Sequence, residues 1–213
     1  FVTPYVKENK LSLSDLDQEG RRKAVELVKM HAGYAAETGY TNFGVPSGDD
    51  PGDEKREEAK KVLADSMIEI ADYLKELGMN LTIEPLDRYA YKKQLIGPMK
   101  ETTEWFKDIH DRCPNAYIHW DSAHEALGKT NLDKSIEWAS PYIAQFHICN
   151  AILDVNHPCF GDLHMDVGTA PDFANEGFLS PEIGAHILQK VASYDKPAGI
   201  KEVYVSIEVL GHP

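Results

Sequence analysis

Amphipathic helical stretches alternate with short apolar runs along nearly the whole chain, and few architectures accept such a pattern. From Asp17 to Glu37 the residues Ala24, Leu27, Val28 and His31 recur at spacings of three and four, and Gly39 stops the helix. The apolar run Tyr40 to Val45 follows and ends in the turn cluster Pro46, Ser47, Gly48. The charged stretch Asp53 to Lys61 then opens a helix carrying Val62, Leu63, Met67, Ile70 and Leu74 on one face, closed by Gly78 and followed by the run Met79 to Ile83. The same unit recurs as Pro98 to Arg112 with Ala116 to Trp120, as Leu132 to Ala139 with Tyr142 to Cys149, and as Pro181 to Tyr194 with Val203 to Ile207. A strand remnant is also expected at Phe1 to Val6. Helix and strand in strict alternation predict a parallel sheet with right-handed crossovers. The expected fold is α/β, a (β/α)8 TIM barrel in one domain spanning 1–213. An eight-stranded barrel takes about 250 residues, so about six of its eight units are expected here, with the barrel incomplete at both ends. A doubly wound open sheet fits less well, because no glycine-rich phosphate loop follows any strand.

Charge narrows the partners. With 35 acidic against 22 basic side chains the net charge is −13, and the basic residues are scattered, a surface that repels nucleic acid and anionic membrane. No apolar run reaches the roughly 18 residues a membrane span needs, and the first residues form no leader pattern, so a cytoplasmic location is expected. Cys113, Cys149 and Cys159 have no CxxC spacing and are expected to be reduced thiols. Self-association into a homo-oligomer is left open.

Chemistry is concentrated where the strands end. Glu84 follows LTI, Asp121 follows YIHW, His147 follows IAQF and Glu208 follows YVSI. In a parallel barrel these carboxyl ends converge on one face. Three carboxylates and one imidazole form a hard N/O donor set, and without a cation such clustered carboxylates would repel one another and take up protons. A divalent metal is therefore expected, Mn²⁺ first, with Mg²⁺, Co²⁺ or Zn²⁺ as alternatives.

The segments IEPLDRY (Ile83 to Tyr89), HWDSAHEAL (His119 to Leu127), QFHICN (Gln145 to Asn150) and VSIEVL (Val205 to Leu210) resemble the xylose isomerase-like barrels, most of all the D-tagatose and D-psicose 3-epimerases. That resemblance implies a metal set on Glu84, Asp121, His147 and Glu208, with Glu84 and Glu208 also as the proton-transferring catalytic pair. It implies a small-molecule sugar substrate and makes His124 a contact to a substrate hydroxyl. Arg88 is a further candidate for substrate binding or for pairing with nearby carboxylates. In PCFGDLHMDVG (Pro158 to Gly168), Asp162, His164 and Asp166 occupy alternate positions, so an extended backbone would project all three one way. Asp162 and His164 are expected in a lid that lines the substrate, although their D-x-H also resembles a ligand pair of endonuclease IV. Two departures stand out. No arginine occurs at Ala151 to Leu153, where the epimerases carry one, and no histidine follows the Gly44–Val45 strand, where endonuclease IV has one. The implied activity is a sugar isomerase or epimerase that abstracts a proton beside a carbonyl to form an enediolate. An eliminating lyase related to inosose dehydratases or cleaving 3-oxo-glycosides is the alternative. An endonuclease acting on damaged DNA and a noncatalytic sugar-binding barrel are weaker ones.

Overall fold

The computed structural model describes residues 2–168 and 176–209. Phe1 and Leu210, the outer ends of two segments singled out above, lie outside them. The described chain runs α1 (Thr3–Glu8), α2 (Gln18–Glu37), β1 (Asn42–Val45), α3 (Asp53–Glu76), β2 (Asn80–Ile83), α4 (Met99–Arg112), β3 (Ala116–Asp121), α5 (Ser122–Leu127), α6 (Leu132–Ala139), β4 (Ile143–Ile148), β5 (Asn150–Ile152), β6 (Gly161–Met165), α7 (Pro181–Ala192) and β7 (Tyr204–Ile207). Five strands form one curled sheet in the order β1-β2-β3-β4-β7, every neighbouring pair parallel. It is the sheet of an incomplete barrel, as the alternation predicts. The apolar faces of α2 (Ala24, Val28, Ala32) and α3 (Leu63, Met67, Ile70, Leu74) are buried in one core with Val45, Leu81, Ile83 and Ile118 of the strands.

Local signals set the element ends. Asp17 caps α2, its side chain accepting a hydrogen bond of 2.7 Å from the Gly20 amide. Gly39 and Gly78 sit at φ +82° and +70° just past α2 and α3, a left-handed conformation open to glycine without a Cβ penalty.

Three segments depart from the sequence reading. Thr3–Glu8 is helical rather than a strand remnant, with Pro4 in the first turn, where its missing N–H and fixed φ suit a helix start. Among the described residues of the expected remnant, Val2 reaches the sheet, through its amide to the Gly44 carbonyl at 3.1 Å. Ser122–Leu127 is a short helix that the sequence reading did not mark, and Asn150–Ile152 with Gly161–Met165 forms an antiparallel hairpin outside the parallel sheet. No described helix is long and apolar enough to cross a membrane.

Candidate metal centre

The parallel pairing brings four strand ends to the same edge of the sheet. Asp121 lies beside His147, and His147 and Ile148 lie beside Ser206 and Ile207, so Glu208 leaves β7 next to the end of β4. Glu84 leaves β2 one residue beyond Ile83, which pairs with Ile118 of β3. His147 Nδ1 is consequently 2.9 Å from Glu208 Oε2, 3.7 Å from Asp121 Oδ2 and 3.8 Å from Glu84 Oε1. One donor atom from each of the four lies within 4.8 Å of the other three.

The electrostatics are those of a site short of positive charge. Burial, then the neighbouring Asp121 carboxylate, pushes Glu84 up to about 7. Burial also raises Asp121. For Glu208 burial acts upward, but hydrogen bonds from His147 and His164 outweigh it and hold the group well below the usual carboxylate range. For His147 burial acts downward, yet Glu208 and Glu84 hold it above its ordinary value. Asp121 uses one oxygen to cap α5, Oδ1 accepting from the Ala123 and His124 amides at 2.7 and 3.2 Å. Its other oxygen, Oδ2, is buried and accepts no hydrogen bond among the described residues. A buried carboxylate oxygen left open and facing an imidazole and two glutamates fits a divalent cation.

A second layer surrounds the four. His124 sits in the first turn of α5, 95% withdrawn from solvent by its 5% exposure, with Nδ1 3.4 Å from Asp87 Oδ2 and Nε2 3.8 Å from Asp162 Oδ2. Burial opposes its charge, but Asp121, Asp87 and Glu84 prevail and raise it to about 9. Asp162 and His164 arrive on β6. His164 Nδ1 lies 3.3 Å from Glu208 Oε2, and His164 has φ +53°, which interrupts the strand alternation at that residue. Asp162 and His164 line the pocket and Asp166 does not, so the expected three-residue row is not formed. The pocket above the group measures about 270 Å³ and is also lined by Thr3, Pro4, Leu86 and Lys92.

Arg88 is not brought to this group. Its guanidinium is buried and donates to both Glu101 oxygens, at 2.7 and 3.0 Å, and to the Leu95 carbonyl at 2.6 Å. It ties the loop after β2 to α4. Replacing it, as in Arg88→Met, leaves the half-exposed Glu101 carboxylate to Lys60 alone and a buried carbonyl without its donor, and should lower unfolding free energy by about 1–3 kcal/mol in a denaturant titration. Glu101 is held down to about 2, first by Arg88 and, against burial, also by Lys60. A depressed folded-state value means this contribution is present above the ordinary carboxylate range and is lost as pH falls toward 2. An equal acid sensitivity of R88M and the parent would contradict the assignment.

Sequence reading passed over Asp87, Lys92, Cys149 and His119. Asp87 accepts from the amides of Tyr91 and Lys92 while facing His124, and His119 packs edge-on against the His147 ring at 3.9 Å between centroids. Asp87, His119 and Cys149 lie inside the segments that carry the family resemblance, but there the signal pointed to their neighbours Arg88, Asp121 and His147, and Lys92 carried none.

The profile of the family described as Xylose isomerase-like TIM barrel matches residues 2–180. The chain belongs to that family. Among solved structures, the 3-keto-D-glucoside 4-epimerase YcjR from E. coli superposes with a TM-score of 0.66 at 15% identity, over 95% of this chain and 70% of its own. D-psicose 3-epimerase with D-tagatose from Clostridium cellulolyticum H10 gives 0.66 at 16% identity, over 95% and 62%. The IOLI protein with a binding zinc atom gives 0.66 at 16%, over 93% and 64%. The chain thus spans less than two thirds of the last two, and at such identities the likeness is one of fold. No curated protein matches the chain in sequence.

Proposed function

We propose that this family member is a divalent-metal-dependent sugar isomerase or epimerase, closest in chemistry to the ketose 3-epimerases. One observation carries the reading: three carboxylates and an imidazole from four parallel strands hold donor atoms within 4.8 Å of one another beneath an open pocket. Structures of similar fold that are described as sugar epimerases support it.

Glu84, Asp121, His147 and Glu208 are the residues that would hold the cation, with Mn²⁺ the first candidate and Mg²⁺, Co²⁺ or Zn²⁺ the others. Bound there, a divalent cation supplies the charge that acidifies a C–H beside a substrate carbonyl. Glu84 enters from β2 and Glu208 from β7, so one carboxylate can take the proton and the other return it. His124, paired with Asp87 and Asp162, keeps an N–H beside the pocket for a substrate hydroxyl. Asp162 and His164 form the wall on the hairpin side. Ala151 and Ile152 are buried in β5, so the stretch in which the epimerases carry an arginine offers no charge to the substrate here.

The test is exchange in D2O. Metal-loaded protein incubated with a panel of ketoses and inososes should place deuterium on the carbon beside the carbonyl of at least one of them. Full metal loading with no exchange in any member of the panel would remove the reading.

A further inference from the structure

Beside the four converging ligands, in the pocket wall that the hairpin supplies, lies a second cluster of potential ligands. Cys149, Asp162 and His164 also bring donor atoms within 4.8 Å of one another. Cys149 Sγ is 3.2 Å from Asp162 Oδ1 and 3.9 Å from His164 Nδ1, and His164 Nε2 is 3.6 Å from Asp162 Oδ2. Tetrahedral zinc with bonds of about 2.0–2.3 Å holds its donors about 3.3–3.8 Å apart, so a cluster whose donor atoms lie within 4.8 Å of one another is within small side-chain adjustments of a cation site. Asp162 is buried, at 2% exposure, where a lone carboxylate is costly.

A cation is in fact there. Lys92 Nζ lies 2.9 Å from Asp162 Oδ2 and 5.3 Å from the centre of the Tyr91 ring. The thiol of Cys149 donates to the other carboxylate oxygen, so proton and ammonium between them occupy both oxygens of Asp162. Lys92 is delivered rather than floating, because Asp87 Oδ1 accepts from its backbone amide at 3.0 Å and from that of Tyr91. The same Asp87 faces His124, so the loop that presents the ammonium is fastened to the pocket wall.

We propose that the Lys92 ammonium is the built-in second cation of this pocket, and that it restricts the protein to one divalent metal by closing a latent site on Cys149, Asp162 and His164. Two like charges cannot share Asp162 at bonding distance. A divalent ion entering the cluster would have to displace the ammonium, form a metal–sulfur bond and release the thiol proton to solvent. An ammonium in that place neutralises Asp162 yet keeps N–H donors for a substrate oxygen, which a second metal would replace with a Lewis acid. The inference takes from the proposed function only that the four-ligand site holds the first metal.

The experiment counts metal. Apo-protein is titrated with Zn²⁺ by calorimetry and bound zinc is measured after gel filtration, for the parent, K92M, K92Q and K92R. K92M and K92Q should each bind one equivalent more than the parent, and K92R, which keeps the charge, should match it. With Co²⁺ the neutral variants should gain a thiolate-to-cobalt charge-transfer band that the parent lacks, and K92M/C149S should lose it. K92Q guards against a folding defect particular to the methionine. No extra equivalent in either neutral variant overturns the proposal, as does a thiolate band in the parent. The four-ligand site is read separately, by the parent's own equivalent. If the parent binds no zinc, that reading fails, while the difference between K92M and the parent still decides this one.

Discussion

Glu84→Gln and Glu208→Gln should each lower kcat by about 10²- to 10⁴-fold, the range associated with a positioned proton-transfer group, while KM moves little. Glutamine keeps the carbonyl-type oxygen and nearly the same volume, so the change falls on proton transfer more than on packing. The two variants should differ in their partial reactions. Each carboxylate comes from a different strand, so removing one should leave exchange of one substrate epimer with solvent deuterium measurable while the interconversion stops. Metal content, measured alongside, separates this from simple loss of the ion. Variants that retain full metal and normal kcat would show that the two glutamates do no more than hold it.

How much of this was legible in the sequence follows from how local each signal is. The strand ends were readable because an apolar run and the ionisable group closing it are contiguous, and because α2, α3, α4 and α6 are long or regular enough to show their period. Helix α5 has six residues, too few for periodicity, and is set instead by the Asp121 side chain capping its first amides. The hairpin of β5 and β6 depends on an antiparallel pairing across the loop between them, and on a left-handed histidine that no composition rule announces. The contacts that define the pocket wall are longer still. Lys92 meets Asp162, and His124 meets Asp87, across 37 residues in the second case. Lysine in a polar loop reads as solvated, and only the fold reveals that this one faces a buried carboxylate. Arg88 shows the converse, since a charged residue next to a motif was drawn away by Glu101 on α4.

Removing the imidazole should have the largest effect on metal affinity. His147 is the one nitrogen donor of the four, and its Nδ1 is the atom nearest to all three carboxylates. His147→Ala should weaken Mn²⁺ or Zn²⁺ binding by about 100-fold or more, beyond the 10- to 100-fold usual for losing an outer partner. The pH dependence should point the same way. In the apo-protein Glu84 sits at about 7 and His147 above its ordinary value, so both hold protons that a metal must displace. Affinity therefore falls as pH drops through neutrality, with up to two protons, one from each group, released per metal bound as both become protonated. In His147→Ala one of those protons is gone, and the slope of log affinity against pH should fall by about one. A histidine that only packs in the core, edge-on against His119, would instead lower the melting temperature and leave both affinity and slope as they are. Calorimetric titration of the folded variant at several pH values in buffers of different ionisation enthalpy distinguishes the two, because it counts the protons directly.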